Sequence, residues 1–229
     1  MVSGTGSVSG GLVPAGIGAG VRMTSGGGTE VGEAQTRRLA PQERRALLVA
    51  AAEETFASRG YTQAGLAEVA EIAGVSKTLL YHYFPDGRPE LYREVMERLV
   101  GEIVDAVQAA VRTPKSTDKR LAALVEALLT YFQDHRDAYR LLILEPWGSG
   151  DPGVVGQAMA VRARLAGELN GLLAAAGQPL PVTMAGGAAA MGALLHVCEL
   201  WMAGQITSEQ AAEVAQRFIR AGLAELDLI

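Results

Sequence analysis

The feature that most constrains the fold of this chain is a helical repeat of apolar residues, which begins at Pro41 and continues to the C-terminus. In its first segment, apolar or small residues recur at steps of three and four: Leu47, Leu48, Ala51, Ala52, Thr55 and Phe56. This spacing places them on one face of an α-helix that Gly60 ends. No segment alternates as a strand does, and no repeat of roughly 20 to 50 residues is present. The sequence therefore predicts an all-α fold.

Breaks at glycine, proline and polar pairs divide this pattern into a three-helix head, a linking helix and a larger helical body. Predicted helices cover residues 41–59, 66–73, 77–83, 89–112, 117–134, 136–145, 153–176, 181–204 and 207–227, with a loop over 146–153. We expect three regions: a tail over 1–36, a small helical domain over 37–88, and the linking helix plus body over 89–229.

The tail is rich in Gly, Ser, Thr and Val and has no periodicity, which is typical of a disordered extension. An arm that tracks DNA is the alternative, because Arg37 and Arg38 follow it directly. The N-terminus has no basic start followed by an apolar run, so we expect no signal peptide.

Composition restricts the class of protein further. With 49% hydrophobic and 20% charged residues, the chain has enough apolar surface for a large core. A single cysteine, Cys198, excludes an internal disulfide and favours a reducing, cytoplasmic location. The apolar run over 182–197 is rich in Gly and Ala and contains Thr183 and His196, so we expect a buried soluble helix and no membrane span.

The most informative segment covers residues 66–84, where two short helices are joined by a glycine-containing turn at Gly74. This is the pattern of a helix-turn-helix, whose second helix fits the major groove of DNA. Ser76 supplies the N-cap hydroxyl of that second helix. Leu80 and Phe84 are four residues apart and can anchor the helix on the core.

The opposite side of the second helix carries groups that bind phosphate oxygens. Lys77, Thr78, Tyr81 and His82 project there, and hydroxyl groups, lysine amines and free N–H groups at a helix start all contact the DNA backbone. The net charge of −5 argues against nucleic acid, but residues 37–98 carry nine basic and nine acidic residues, a balance of zero. The head is therefore less acidic than the body, and Arg37, Arg38, Arg44, Arg45 and Lys77 can gather on one face.

These residues resemble the DNA-binding head of the tetracycline-repressor (TetR) family over about residues 41–98. The motifs that carry the resemblance are Arg44-Arg-Ala-Leu-Leu, Arg59-Gly-Tyr61, Ala73-Gly-Val-Ser-Lys77, Leu80-Tyr-His-Tyr-Phe-Pro85 and Glu90-Leu-Tyr92. The resemblance implies an all-helical homodimer that binds a palindromic operator in double-stranded DNA and responds to a small molecule. It also implies that Lys77, Thr78 and Leu79 face the bases, that Tyr81 and His82 contact phosphates with Tyr83 beside them, and that the last two helices form the dimer.

Three positions depart from the family pattern. Gly65 stands where a Ser or Thr N-cap is usual, and Thr78 and Leu79 replace the common Gly and Thr or Ser, so we expect an operator preference of its own. One extra residue precedes Glu90, and the usual phosphate-binding lysine is absent, which leaves Arg88 as its replacement. The complete predicted DNA-binding set is Arg44, Ser76, Lys77, Thr78, Leu79, Tyr81, His82, Tyr83 and Arg88.

The body shows no recognisable motif, so its predicted sites rest on residue type alone. Large or polar residues among apolar helices are the candidates for an effector pocket: Phe132, Leu142, Trp147, Met191, His196 and Trp201. We expect an apolar effector that is neutral or cationic, because residues 99–229 carry ten basic and fourteen acidic residues. Small and apolar positions on the last two helices are the candidates for a dimer interface: Gly187, Ala190, Leu194, Val214 and Phe218.

Two other function classes remain open at this stage, together with the direction of control. A helical enzyme could use His196 and Glu199, but Cys198 lies on another helix face and no positioned nucleophile or metal-ligand set is present. The other open function class is a helical interaction module that does not bind DNA. The sequence favours a ligand-released repressor, with no catalytic residue, metal or cofactor, and does not separate repression from activation.

Overall fold

The computed structural model describes residues 39–229, apart from the side chain of Ala175. The predicted tail over 1–36, together with Arg37 and Arg38, lies outside the described residues. Within the described range the regular elements are all helical and none is a strand, which confirms the all-α prediction.

Four helices form the first part of the fold, and their bounds lie within one or two residues of those predicted. They are α1 (Pro41–Arg59), α2 (Leu66–Ile72), α3 (Lys77–Tyr83) and α4 (Arg88–Arg112). We call α1–α3 the head and α4 the linking helix.

The remaining helices form the body. They are α5 (Thr117–Asp134), α6 (Arg136–Tyr139), a π-helical turn (Arg140–Leu144), α7 (Glu145–Gly148), α8 (Pro152–Leu173), a 3₁₀ turn (Ala174–Ala176), α9 (Leu180–Met202) and α10 (Ser208–Ala224).

The loop predicted over 146–153 is wrong in its first half, because residues 145–148 form the short helix α7. Pro146 lies in the first turn of α7, which continues directly from the π-helical turn. The helix predicted over 136–145 is interrupted by the π-helical turn, which the apolar sequence Leu-Leu-Ile-Leu does not reveal.

The linking helix α4 is the centre of the molecule. It packs against α1 on the head side and against α5 and α8 on the body side. Nine of its apolar residues are buried, among them Leu91, Val95 and Ile103. The linking helix α4 therefore connects the head to the body.

Helix α9 is long and apolar enough to cross a membrane by length and composition alone. In this fold it packs between α8 and α10 and buries Met191, Leu194, Cys198 and Trp201. Helical bundles that fold in water also bury one side of each helix in a common core.

Candidate nucleic-acid interface

The turn between α2 and α3 is built by local hydrogen bonds around Gly74. Gly74 has a φ of +63°, a conformation that glycine adopts without steric cost. The N–H of Val75 donates to the carbonyl of Ala70 at 2.9 Å, which ends α2. The Oγ of Ser76 then accepts from the N–H of Leu79 at 3.2 Å and caps α3, as the sequence predicts.

Helix α3 is divided into a buried and an exposed side. Leu80 and Phe84 are fully buried and hold the helix on the core of the head. The side chains that point away are exposed or half-buried: Lys77, Thr78, Leu79, Tyr81, His82 and Tyr83. Most of the side predicted to meet DNA is therefore open to solvent, and Tyr83 is partly covered by the head.

The exposed side of α3 combines one cation with aromatic rings. The Nζ of Lys77 lies 5.9 Å from the centre of the Tyr81 ring, and the rings of His82 and Tyr83 meet edge to face at 5.5 Å. Among residues 39–229, no carboxylate lies within salt-bridge distance of Lys77. Its charge is therefore available to a phosphate.

The two neighbouring arginines of α1 differ in their surroundings. Arg44 donates to the hydroxyl of Tyr83 at 3.3 Å and to the carbonyl of Leu39 at 3.1 Å. It lies next to the exposed side of α3, and it orients the phenol of Tyr83.

Arg45 instead joins the head to α4. Its guanidinium binds Glu94 at 2.8 Å, lies 3.8 Å from Glu90, donates to the carbonyl of Tyr83 at 2.9 Å and stacks on Phe84 at 4.4 Å. The hydrogen bond to Glu94 is the main reason that the pKa of Arg45 is raised. The expectation that Arg45 gathers with the DNA-facing cations is therefore wrong, because its charge is already paired.

Arg88 begins α4 beside the head and is half-buried. It donates to the carbonyl of Thr62 at 3.0 Å, and its guanidinium lies 5.8 Å from the centre of the Tyr61 ring. Gly87 precedes it with a φ of +67°, and a Cβ there would lie 3.1 Å from Leu66 and 3.4 Å from Tyr81. Glycine therefore lets the start of α4 approach α3, and Arg88 has a structural contact in addition to its predicted DNA contact.

Contacts between head and body are a part of the site that the sequence analysis missed. Arg140, in the π-helical turn, donates to the carbonyls of Phe56 and Ala57 at the end of α1 and pairs with Glu145 at 3.5 Å. The contact with Ala57 satisfies a carbonyl at the end of α1, and the carbonyl of Phe56 also accepts from the N–H of Gly60 at 2.8 Å.

Two tyrosines of the head and linking helix reach the same segment of the body. The hydroxyl of Tyr61 donates to Asp151 at 3.0 Å, and that of Tyr92 donates to the carbonyl of Leu141 at 2.8 Å. Burial and the bond to Asp151 raise the pKa of Tyr61 to about 12, so it remains a neutral donor at physiological pH. These head–body contacts leave little trace in the sequence. The unusual residue is Arg140, a charged residue that directly precedes four apolar residues.

The predicted pocket residues separate into two groups. Phe132, Leu142, Met191 and Trp201 are buried in the common core of the body. Trp147 is half-exposed under the guanidinium of Arg162, and His196 is exposed and pairs with Glu199 at 3.2 Å. A shared pocket of all six residues stays a prediction.

The predicted dimer residues also separate. Gly187 and Leu194 are buried inside the protomer, and a Cβ at Gly187 would collide with Asn170 of α8, so a contact of either with a second copy stays a prediction. Ala190 is buried beside a shallow apolar cavity of about 240 Å³ between α9 and α10. Val214 and Phe218 are 50% and 68% exposed, which is high for apolar side chains.

The arrangement of α2, α3 and their turn is that of a helix-turn-helix motif. Residues 48–95 match the sequence model of the bacterial regulatory proteins of the tetR family. This segment of the chain is therefore similar to the DNA-binding domain of the TetR family.

Comparisons with known proteins show the same similarity. The chain is 41% identical over 111 residues to the HTH-type transcriptional activator FasR of Mycolicibacterium smegmatis, a match that covers 48% of this chain and 50% of FasR. The chain thus spans about half the length of the curated relatives it matches. These relatives are named as transcriptional regulators, not enzymes.

Solved structures share the fold over most of the chain. A TetR-like regulator from Rhodococcus has a TM-score of 0.64 at 24% identity and covers 82% of this chain and 99% of its own. FadR of Bacillus subtilis, solved with stearoyl-CoA, has a TM-score of 0.67 at 14% identity over 77% of this chain and 98% of its own. At these identities the comparison shows the fold alone.

Proposed function

We propose that this protein is a cytoplasmic, homodimeric transcription regulator that binds a palindromic operator and responds to a small molecule in its body. The observation that carries the proposal is the exposed side of α3, where a lysine without an ion-pair partner in the described chain lies among hydroxyl and aromatic groups. A capped helix with such a side fits the major groove and holds phosphates at its start.

Each predicted contact has a role in this proposal. Lys77, Thr78 and Leu79 approach the base edges at the start of α3, while Tyr81 and His82 contact phosphates. Arg44 and Tyr83, which are hydrogen-bonded to each other, support the phosphate side. Ser76 caps the helix, and Arg88 reaches the backbone from the start of α4.

The dimer in this proposal forms through α9 and α10. Their outer sides expose apolar or small residues with few charges: Met184, Ala185, Ala188, Ala189, Gly192, Val214, Phe218 and Ala221. A contiguous apolar surface of this kind is typical of an interface between subunits, and pairing with a second copy would form a four-helix bundle. Val214 and Phe218 remain the predicted contacts on α10.

The proposed mechanism has two states that differ in the distance between the two heads. In the DNA-binding state the heads lie about 34–36 Å apart, one turn of DNA. An effector favours the other state by a coupling free energy of about 1–3 kcal/mol. The contacts of α4 with α1 and of Arg140 with the end of α1 connect the body to the head.

Repression is the first form of control that we propose, because a dimer on its operator blocks access to the DNA. Activation is the second form of control that we propose, because the relative FasR is named as a transcriptional activator. The complex of FadR with stearoyl-CoA supports a small-molecule effector in a body of this fold. Transcription in vitro from the bound promoter, with and without the protein, separates the two forms.

The test of DNA binding uses the full-length protein and fragments of its own genome. We expect enrichment of a palindromic sequence whose affinity falls as salt rises. The variants Lys77→Ala and Tyr81→Phe should both bind this sequence more weakly while retaining the fold by circular dichroism. Unchanged affinity in both variants would contradict the proposed contact surface.

A further inference from the structure

Leu79 is an apolar residue on the exposed side of α3 that the core of the head does not use. It is half-buried, but within the described part of the chain it is not among the half-buried apolar residues that pack against the core. Tyr83, one turn further along the same side of the helix, does pack there. The next residue in the chain, Leu80, is fully buried and anchors α3. The side chain of Leu79 is therefore available for a contact outside the protomer.

Helical spacing places Leu79 at the start of one of three rows on the exposed side of α3, each made of two residues four apart. The middle row lies opposite the buried residues of α3 and is exposed, and the rows on its two flanks are exposed or half-buried. Long side chains of a helix lean toward its N-terminus, so the side chain of Leu79 extends toward the first turn of α3. The first turn is the part of a recognition helix that contacts base edges. The three rows are Lys77 with Tyr81, Thr78 with His82, and Leu79 with Tyr83.

Leu79 has no polar group to offer to a base. Its N–H donates to the Oγ of Ser76 at 3.2 Å as part of the helix cap, and its side chain is a hydrocarbon. In the major groove every base presents hydrogen-bond donors or acceptors, and only thymine also presents an apolar group, its 5-methyl. An apolar side chain against the edge of another base leaves a donor or acceptor without a partner, which is unfavourable. Thymine is therefore the base that fits Leu79.

We propose that Leu79 is a specificity-determining residue, which selects one thymine in each half of the operator by contact with the 5-methyl group. The inference rests on the proposed function, because it requires α3 to lie in the major groove. Threonine or serine is usual at this position of the family pattern, and a hydroxyl group can hydrogen-bond to any of the bases. Replacing the hydroxyl by a hydrocarbon narrows the choice to one base.

The first test removes the methyl group from the DNA and leaves base pairing unchanged. The operator is enriched from genomic fragments with the full-length protein, and each thymine of its half-sites is replaced in turn by deoxyuridine. Fluorescence anisotropy should show one position in each half-site where the replacement weakens binding about fourfold, as expected for the loss of one buried methyl group. Replacement at both positions should weaken binding about fifteenfold, because the free energies of well-separated positions add. Unchanged affinity at every thymine would overturn the proposal.

Variants assign the methyl contact to the side chain of Leu79. Leu79→Ala should bind the thymine and deoxyuridine operators with equal affinity, whereas Leu79→Met, with an apolar side chain of similar size, should retain most of the difference. Ile72→Ala is the matched control, since Ile72 is an apolar residue of the head that is 43% exposed but lies on α2, and it should keep the full preference for thymine. Thermal unfolding checks that each variant is folded. A preference in Leu79→Ala as large as in the wild type would overturn the assignment to Leu79.

A polar replacement at the same position should change the preferred base. The amide of Leu79→Asn can pair with N6 and N7 of adenine, so this variant should prefer adenine to thymine by about tenfold at the position that the deoxyuridine scan identifies. Selection from an operator library randomised at that position measures the preference of the wild type and the variant. Continued enrichment of thymine by Leu79→Asn would contradict a direct contact.

Failure of this inference and failure of the regulator give different results. If no DNA is enriched, the proposed function falls and the inference falls with it. If DNA is enriched, and its affinity depends on Lys77 and Tyr81 but on none of the thymine methyl groups, the regulator stands and the role of Leu79 is contradicted.

Discussion

The head and the body expose different kinds of surface. The head exposes hydroxyls, a lysine and aromatic rings on one side of the seven-residue helix α3, whereas Arg45 and Arg59 are paired with carboxylates. The body exposes apolar side chains on α9 and α10, among them Met184, Val214 and Phe218. A polar side with an unpaired cation fits DNA, and an apolar side fits another protein. Charge pairing, more than net charge, separates the two surfaces.

The largest effect that we expect from this comparison comes from a charge on the apolar surface. Phe218→Glu should weaken the dimer on the order of a hundredfold, because both copies bring a carboxylate into an apolar contact. Analytical ultracentrifugation measures the monomer–dimer equilibrium. Met159→Glu, at a similarly exposed methionine on α8, is the control. A dimer that tolerates Phe218→Glu would contradict the assignment of this surface.

A smaller effect is expected on the polar surface of the head. Lys77→Ala should weaken operator binding about tenfold and make the salt dependence shallower by about one unit per lost phosphate contact. Tyr81→Phe should weaken it roughly fivefold with little change in salt dependence. Fluorescence anisotropy across a salt series measures both, with Lys119→Ala on α5 as the control. Identical salt slopes for Lys77→Ala and the wild type would exclude a phosphate contact.

The third prediction separates the two arginines of α1 by the property that each affects. Arg45→Met should lower the free energy of unfolding by about 1–2 kcal/mol, a modest value because its side chain is partly exposed and screened. Arg44→Met should mainly weaken DNA binding, through loss of its contact with Tyr83. Denaturant unfolding and operator titration are measured for both. The opposite pattern, with Arg44 affecting stability and Arg45 affecting only DNA, would show that the roles are exchanged.

The smallest effect concerns the junction between the two regions. Arg140→Gln removes the hydrogen bonds to the carbonyls that end α1, so we expect faster amide exchange at the start of the loop after α1 and a loss of about 1 kcal/mol of stability. Hydrogen–deuterium exchange with mass spectrometry compares it with Arg136→Gln, an exposed arginine one turn earlier. If exchange near Gly60 is the same in both variants, Arg140 does not hold the head.

Sequence predicts the head better than the body for a physical reason. In the head, fold and site share one short segment: Ser76 caps α3, Leu80 and Phe84 bury one side, and the residues between them form the other. Local spacing therefore determines both. The prediction that Arg45 lies with the DNA-facing cations failed because its partners Glu90 and Glu94 are more than 40 residues away in the sequence. Residue spacing within α1 does not reveal such distant partners.

In the body, the helices were predictable and the sites were not. Periodicity located α5, α8, α9 and α10 to within a few residues, because each helix buries an apolar side. Which of those residues face a partner or a ligand depends on packing between distant helices. Gly187 illustrates this, since its small size allows close packing against Asn170 of α8, a contact that spacing within α9 does not show.

The central claim is that the exposed side of α3 enters the major groove. Methylation protection of guanine N7 in the enriched operator, with the full-length wild-type protein, tests this most directly, because N7 lies on the major-groove edge. We predict two protected regions about 10 base pairs apart, on the same face of the duplex, both weakened by Lys77→Ala. Protection confined to the minor groove, or protection of N7 that Lys77→Ala and Tyr81→Phe both leave unchanged, would contradict the account.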